Sequence, residues 1–235
     1  MALDALFFGP HPDDVELTCG GLAALLASNG HRVGMVDLTR GELGTRGTPE
    51  GRGEEAERAA RALGAAARWN LGLPDTGLAG GDRAQLTAVV ACLREHRPSL
   101  VVAPDHHDDH PDHVEASRLV ARACHLAGLR RFAAPGERFR PDRLLFALYR
   151  RLAVPHLVVD VTPVWERRLE ALRAHASQIE GAGPQTYLTA PDFLAEVESR
   201  ARVFGAAIGA KFGEGYRMRG PLALYDARAL LGRSG

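Results

Sequence analysis

Residues 6–21 read LFFGPHPDDVELTCGG: an apolar run stops at a glycine and a proline, gives way to His11, Pro12, Asp13 and Asp14, and passes into a helical pattern. A near-continuous apolar run suits a strand covered on both faces, so the charged cluster falls at the carboxyl end of a buried strand. Open α/β sheets bind their ligands there. The His11 imidazole and the Asp14 carboxylate, three positions apart on a turn narrowed by Pro12, can converge on one divalent ion, and zinc takes such nitrogen and oxygen donors. Asp13 then points elsewhere and is the candidate general base for a water activated by the ion. A catalytic zinc takes three protein ligands and a water, so a third ligand is required.

Residues 101–113, VVAPDHHDDHPDH, supply it. The pattern repeats: a strand at 100–103, a polar turn, then His110, Pro111, Asp112 and His113 opening another helix. His113 is the candidate third ligand. His110 is left near the reacting centre, oriented by Asp112, to donate to an oxyanion or protonate a leaving group. One such cluster alone could be a turn whose aspartate caps the next helix; two at the ends of two strands point to a metal site.

The pair HPDD-x-E (11–16) and HPDH (110–113) resembles the PIG-L or LmbE-like family of zinc-dependent N-deacetylases, which remove acetyl from N-acetylglucosamine-type sugars. The resemblance implies Zn2+ on His11, Asp14 and His113, Asp13 as general base and His110 on the oxyanion side, in agreement with the reading above. It also implies a Rossmann-like three-layer α/β sandwich with a mainly parallel sheet, and a homo-oligomer, often a hexamer. The stretch TRGELGTRGTPEGR (39–52) is most similar to the bacillithiol branch of the family, which deacetylates N-acetylglucosaminyl malate. Arginine suits bidentate carboxylate recognition, so Arg52 and Arg46 are candidates for the malate. Asp75, in the family-like LPDTG, is either a sugar contact or ordinary turn chemistry. The family-like H-x-S-Q of His175, Ser177 and Gln178 has either a packing or a substrate-loop role. Tyr187 lies in a lid-like stretch, 180–189, whereas the family carries a tyrosine near position 193. Asp112, Gln178 and Tyr187 complete the substrate-facing candidates. Two rivals stay open: another N-acetylglucosamine substrate, such as a chitooligosaccharide or a mycothiol-type precursor, and a zinc-holding protein without catalysis. The second would lack Asp13 and His110, and both are present. The ligand set also accepts iron(II).

Composition agrees with a small discrete substrate. The 235 residues suffice for one large domain over 1–235, and apolar runs alternating with helical stretches indicate α/β. Lys plus Arg equals Asp plus Glu at 29 each, which leaves no nucleic-acid footprint. Cys19, Cys92 and Cys124 stand in apolar helical contexts and read as buried thiols of a reducing compartment; nothing basic near Cys19 marks it as reactive. Acids interrupt the first apolar stretch, so neither a signal peptide nor a membrane span is expected, and a cytoplasmic location is.

The remaining pattern predicts strands at 5–9, 31–38, 67–71, 144–149 and 156–161, and helices at 15–28, 54–63, 83–96, 112–127, 163–175 and 191–208. Residues 39–53 read as one long functional loop, and 106–109 as rim residues. Residues 129–143, rich in arginine and proline, read as a connection over the site, and 212–231 as a final extended and turning segment.

Overall fold

The computed structural model describes residues 2–149, 153–180 and 183–223. The elements run β1 (Ala5–Gly9), α1 (Asp14–Ser28), β2 (Val33–Thr39), α2 (Pro49–Leu63), β3 (Ala67–Leu73), α3 (Arg83–His96), β4 (Leu100–Pro104), α4 (Pro111–Ala127), β5 (Arg143–Ala147), β6 (Leu157–Asp160), α5 (Trp165–Arg173), α6 (Ala176–Ile179), α7 (Phe193–Ala206) and β7 (Gly213–Met218). The seven strands form one sheet in the order β3-β2-β1-β4-β5-β7-β6. The first five in that order are parallel, and β7 runs antiparallel between β5 and β6.

The period-2 alternation of β1 divides its side chains between two cores. Phe7 packs with Met35, Leu63 and Leu172 beneath α1, α2 and α5, whereas Leu6 and Phe8 join Leu93 and Leu119 beneath α3 and α4. Helices therefore cover both faces, which is the expected three-layer sandwich. From β1 the chain turns to β2 on one side and later returns to β4 on the other, so the loops after β1 and β4 diverge. They leave a crevice at the carboxyl ends of those strands.

Three expectations change. Helix α2 begins at Pro49, because Thr48 caps it by accepting the Gly51 N–H at 3.1 Å and Pro49 fits the first turn. Arg52 thus stands on a helix, not in a loop. The 129–142 connection lies at the opposite end of the sheet from the crevice and does not cover the site. Arg94 of α3 holds it there through the carbonyls of Leu129, Phe132 and Ala134, and the Asp142 N–H reaches the Ser99 carbonyl ahead of β4. The stretch expected as a helix over 163–175 opens as a 3₁₀ turn, Thr162–Val164, continues as α5 and ends before His175. Of the expected final segment, 224–231 lies outside the described residues.

Helix α1 breaks at Cys19 (φ −146°, ψ 18°). The Gly21 and Leu22 N–H groups released by the break donate to the two carboxylate oxygens of Glu214 on β7, at 2.7 and 2.8 Å. A Cβ at Gly21 would stand 2.6 Å from Glu214 Oε1 and 2.7 Å from Val161, so only glycine admits this approach. Among the described residues, no helix is long and apolar enough to cross a membrane.

Candidate active site

The turn after β1 places Asp13 as the residue preceding α1 with φ 126°, a backbone region that costs an L-residue roughly 1–3 kcal/mol and that surrounding structure must hold. Arg52 holds it, through Nη2 to the Pro12 carbonyl at 3.0 Å and to Asp13 Oδ2 at 3.4 Å, while Nη1 donates to the Gly41 carbonyl. Asp14 then turns toward His11 and His113. Its Oδ2 is 3.1 Å from His11 Nδ1 and its Oδ1 is 3.2 Å from His113 Nε2. One ligand-type atom from each of the three residues falls within 4.8 Å of the others, so a single ion can be shared.

The outer nitrogens of both imidazoles are also held by carboxylates. His11 Nε2 lies 3.1 Å from Asp75 Oδ1 and 3.3 Å from Asp112 Oδ2, and His113 Nδ1 lies 3.1 Å from Asp108 Oδ2. A carboxylate behind each ligating histidine fixes its ring and tautomer, and is the usual second layer of a metal site. Burial alone would lower the proton affinity of His113, but Asp14 and Asp108 on either side outweigh it and carry the ring up to about 10. The donor set is two nitrogens and one carboxylate in a surplus of negative charge, and it fits a divalent cation such as zinc.

Asp13 is adjacent but directed to Arg52. Burial pushes its carboxyl up, Arg52 pulls it back and Asp14 adds to the rise, leaving it at about 6. A carboxylate in that range holds a proton weakly enough to release it near neutrality and strongly enough to take one, as a general base requires. His110 caps α4 from the position before it and accepts the Asp112 N–H on Nδ1 at 3.2 Å, so its neutral ring carries the proton on Nε2. The ring centroid is 5.0 Å from that of His11 and 4.9 Å from that of His113. The carboxylate of Asp112, expected to orient His110, instead serves His11 and the N–H groups of Thr76 and Leu78. It is the Asp112 backbone that holds His110.

A cavity of about 360 Å³ opens over this cluster. Arg46, Arg52, Gln178 and Tyr187 all line it, and Asp112 lies behind it. Both arginines give their terminal nitrogens to the protein. Arg46 bonds the carbonyls of Ser177, Glu180 and Pro184, while Gln178 Nε2 returns a bond to the Arg46 carbonyl at 2.8 Å. Tyr187 accepts from Arg200 Nη1 at 3.1 Å and meets Phe193 edge-on. Sequence alone assigns no metal-side role to Asp75 or Asp108. The partner of Asp75 lies beyond another strand, 64 positions away, and Asp108, although five positions before His113, stands in a run of acids and histidines that reads as rim. His106 and His107 gather around Asp105, and Arg217 joins them, so they do not line the cavity. His175 is fully buried, 3.4 Å from Glu16, which is paired in turn with Arg68. Burial also drives the Cys19 thiol far above its ordinary value, which agrees with an unreactive side chain.

Residues 6–124 match the PIG-L family, described as GlcNAc-PI de-N-acetylase. The diacetylchitobiose deacetylase of Thermococcus kodakarensis is 33% identical over 72% of this chain and 67% of its own length. A 1D-myo-inositol 2-acetamido-2-deoxy-alpha-D-glucopyranoside deacetylase of Rhodococcus opacus is 28% identical over 87% of this chain and 92% of its own. Among solved structures, the conserved protein TT1542 of Thermus thermophilus superposes with a TM-score of 0.87 at 38% identity, covering 94% of this chain and 97% of its own. The N,N'-diacetylchitobiose deacetylase of Pyrococcus horikoshii does so with 0.78 at 26%, covering 92% and 83%. The matched stretch contains both motif clusters and the strands that carry them, and on that ground the chain belongs to the PIG-L family and is a hydrolytic N-deacetylase.

Proposed function

We propose that the chain removes the acetyl group from an N-acetylglucosamine-type amino sugar joined to an uncharged partner group. The observation that carries this is the juxtaposition of a buried, raised Asp13 with the His11–Asp14–His113 triad in one cavity. A divalent ion held by those three residues supplies, when bound, Lewis acidity toward the amide carbonyl and a lowered pKa for water. Zinc suits the donors, and iron(II) accepts the same set. Asp13 takes the proton of the attacking water and returns it to the departing amine. His110, protonated on Nε2, donates to the oxygen on which charge develops.

N-acetylglucosaminyl malate is the narrower substrate suggested by the loop motif. Arg46 and Arg52 already hold backbone carbonyls through their terminal nitrogens, so a bidentate grip on its carboxylates would mean sharing those nitrogens or exchanging a carbonyl for the ligand. An uncharged partner, such as the second ring in diacetylchitobiose or the inositol named for the Rhodococcus relative, requires no such exchange. The test is free-amine release from N-acetylglucosaminyl malate, diacetylchitobiose and N-acetylglucosamine by protein stripped of metal and reloaded with zinc. The expected result is metal-dependent turnover with the malate compound below diacetylchitobiose; a strong preference for malate would reverse the choice of partner group, and no amine from any of them would remove the amino-sugar reading.

A further inference from the structure

We propose that Leu43 is a specificity-determining residue that packs against the second ring of the substrate at the mouth of the cavity. The inference rests on the amino-sugar reading above. Leu43 lines the cavity yet is 67% exposed, the largest value after Val154 among the large apolar side chains of the described residues. A scattered surface leucine is ordinary, but this one stands on a loop braced directly to the catalytic cluster. Its N–H donates to Asp75 Oδ2 at 2.8 Å, and the other oxygen of that carboxylate is 3.1 Å from His11 Nε2. Glu42 beside it accepts the Asp75 N–H at 2.8 Å, and Gly41 is held by Arg52, which also holds Pro12.

The loop is therefore fixed to the turn after β1 by one strut through Asp75 and another through Arg52. Its apolar tip remains directed to solvent at the entrance. Leu188 and Tyr187 line the same cavity, and the CH face of a pyranose presents the flat, weakly polar surface that such side chains cover. No arginine donor is required for that contact. The cavity, at about 360 Å³, extends beyond the space over the triad and leaves room for the ring carrying the leaving amine and part of a second.

The experiment compares kcat/KM for diacetylchitobiose and for N-acetylglucosamine in the zinc-loaded full chain and in its Leu43→Ala and Leu43→Met variants. The ratio of two-ring to one-ring efficiency is expected to fall about tenfold in Leu43→Ala, the scale on which apolar contact discriminates between substrates, with the loss carried by KM. Leu43→Met should keep most of the ratio. A Leu43→Ala ratio equal to that of the unaltered chain overturns the assignment of Leu43 while leaving the deacetylase reading intact. Absence of amine release by the unaltered chain from both sugars overturns the two together.

Discussion

Asp108 Oδ2 stands 3.1 Å from Nδ1 of His113, while Asp14 Oδ1 stands 3.2 Å from Nε2 of the same ring, so one imidazole spans two carboxylates. Only Asp14 is shared with His11. With His113 as a proposed metal ligand, Asp108 is the outer partner that would fix its ring. Asp108→Ala is expected to weaken zinc binding by about 10- to 100-fold, measured by competition with a chelator, whereas His113→Ala should abolish stoichiometric zinc. Equal zinc affinity in Asp108→Ala and the unaltered chain would remove Asp108 from the site.

Asp13 is separated from that function. Asp13→Asn should retain full zinc content by elemental analysis and lose turnover by roughly 10²- to 10⁴-fold, the range for loss of a general base. Full activity with full zinc would sink the assignment.

Arg52 offers a distinction between two roles. As the brace for Pro12, Asp13 and Gly41, its replacement by lysine should lower kcat for every substrate alike, because lysine cannot span three acceptors with a planar fork. A rise in KM confined to the malate compound would instead identify it as a carboxylate reader.

Glu16 is fully buried; burial raises its proton affinity, but Arg68 at 2.5 Å and His175 outweigh this and hold the carboxyl at about 2, against an ordinary 4.5. A folded-state value below the unfolded one gives stability that is complete above about 4.5 and lost as pH falls toward 2. The shift corresponds to ~3 kcal/mol. Urea unfolding at pH 7 should show Glu16→Gln less stable by about that amount, and the gap should narrow at pH 3. A gap independent of pH would mean that the charge of Glu16 contributes nothing.

Burial pushes the thiols of Cys92 and Cys124 up to about 12, and Cys19 higher still. A disulfide-exchange reagent at pH 8 should therefore label none of the three in the folded chain and all three in urea. Rapid labelling of Cys19 in native protein would contradict its burial.

The candidate metal ligands and the proposed base are legible in the sequence because they fall in the segments that follow β1 and β4, where an apolar run breaks into charged residues. The first strand and the helix Arg83–His96 are legible for the same reason, since their hydrophobic period matches their final burial. Helix α2 reads short at its start: the glycines at 51 and 53 resemble a loop and mask the Thr48–Pro49 start signal. The arginine-rich 129–142 stretch carries no mark of which end of the sheet it occupies, because that depends on Arg94, more than thirty residues earlier. Asp108, five positions before His113, is hidden among the other charged residues of its own turn, and Asp75 escapes for a reason of distance. A carboxylate that holds a ligand's far nitrogen has no fixed spacing from that ligand, and topology alone brings Asp75 to His11 across 64 positions.

Glu214 accepts the N–H groups of Gly21 and Leu22 across 193 and 192 positions of chain, which sets an order of events in time. While the polypeptide is still being synthesised, the second half of α1 has two exposed donors and no acceptor to meet them. Closing a loop of that length is slow, and contacts so distant in sequence form late. The helix that begins with Asp14 is thus completed only after the strand carrying Glu214 has been made and has docked. A nascent fragment ending before β7 holds every residue of the triad and lacks the strand that locks the helix of Asp14 in place.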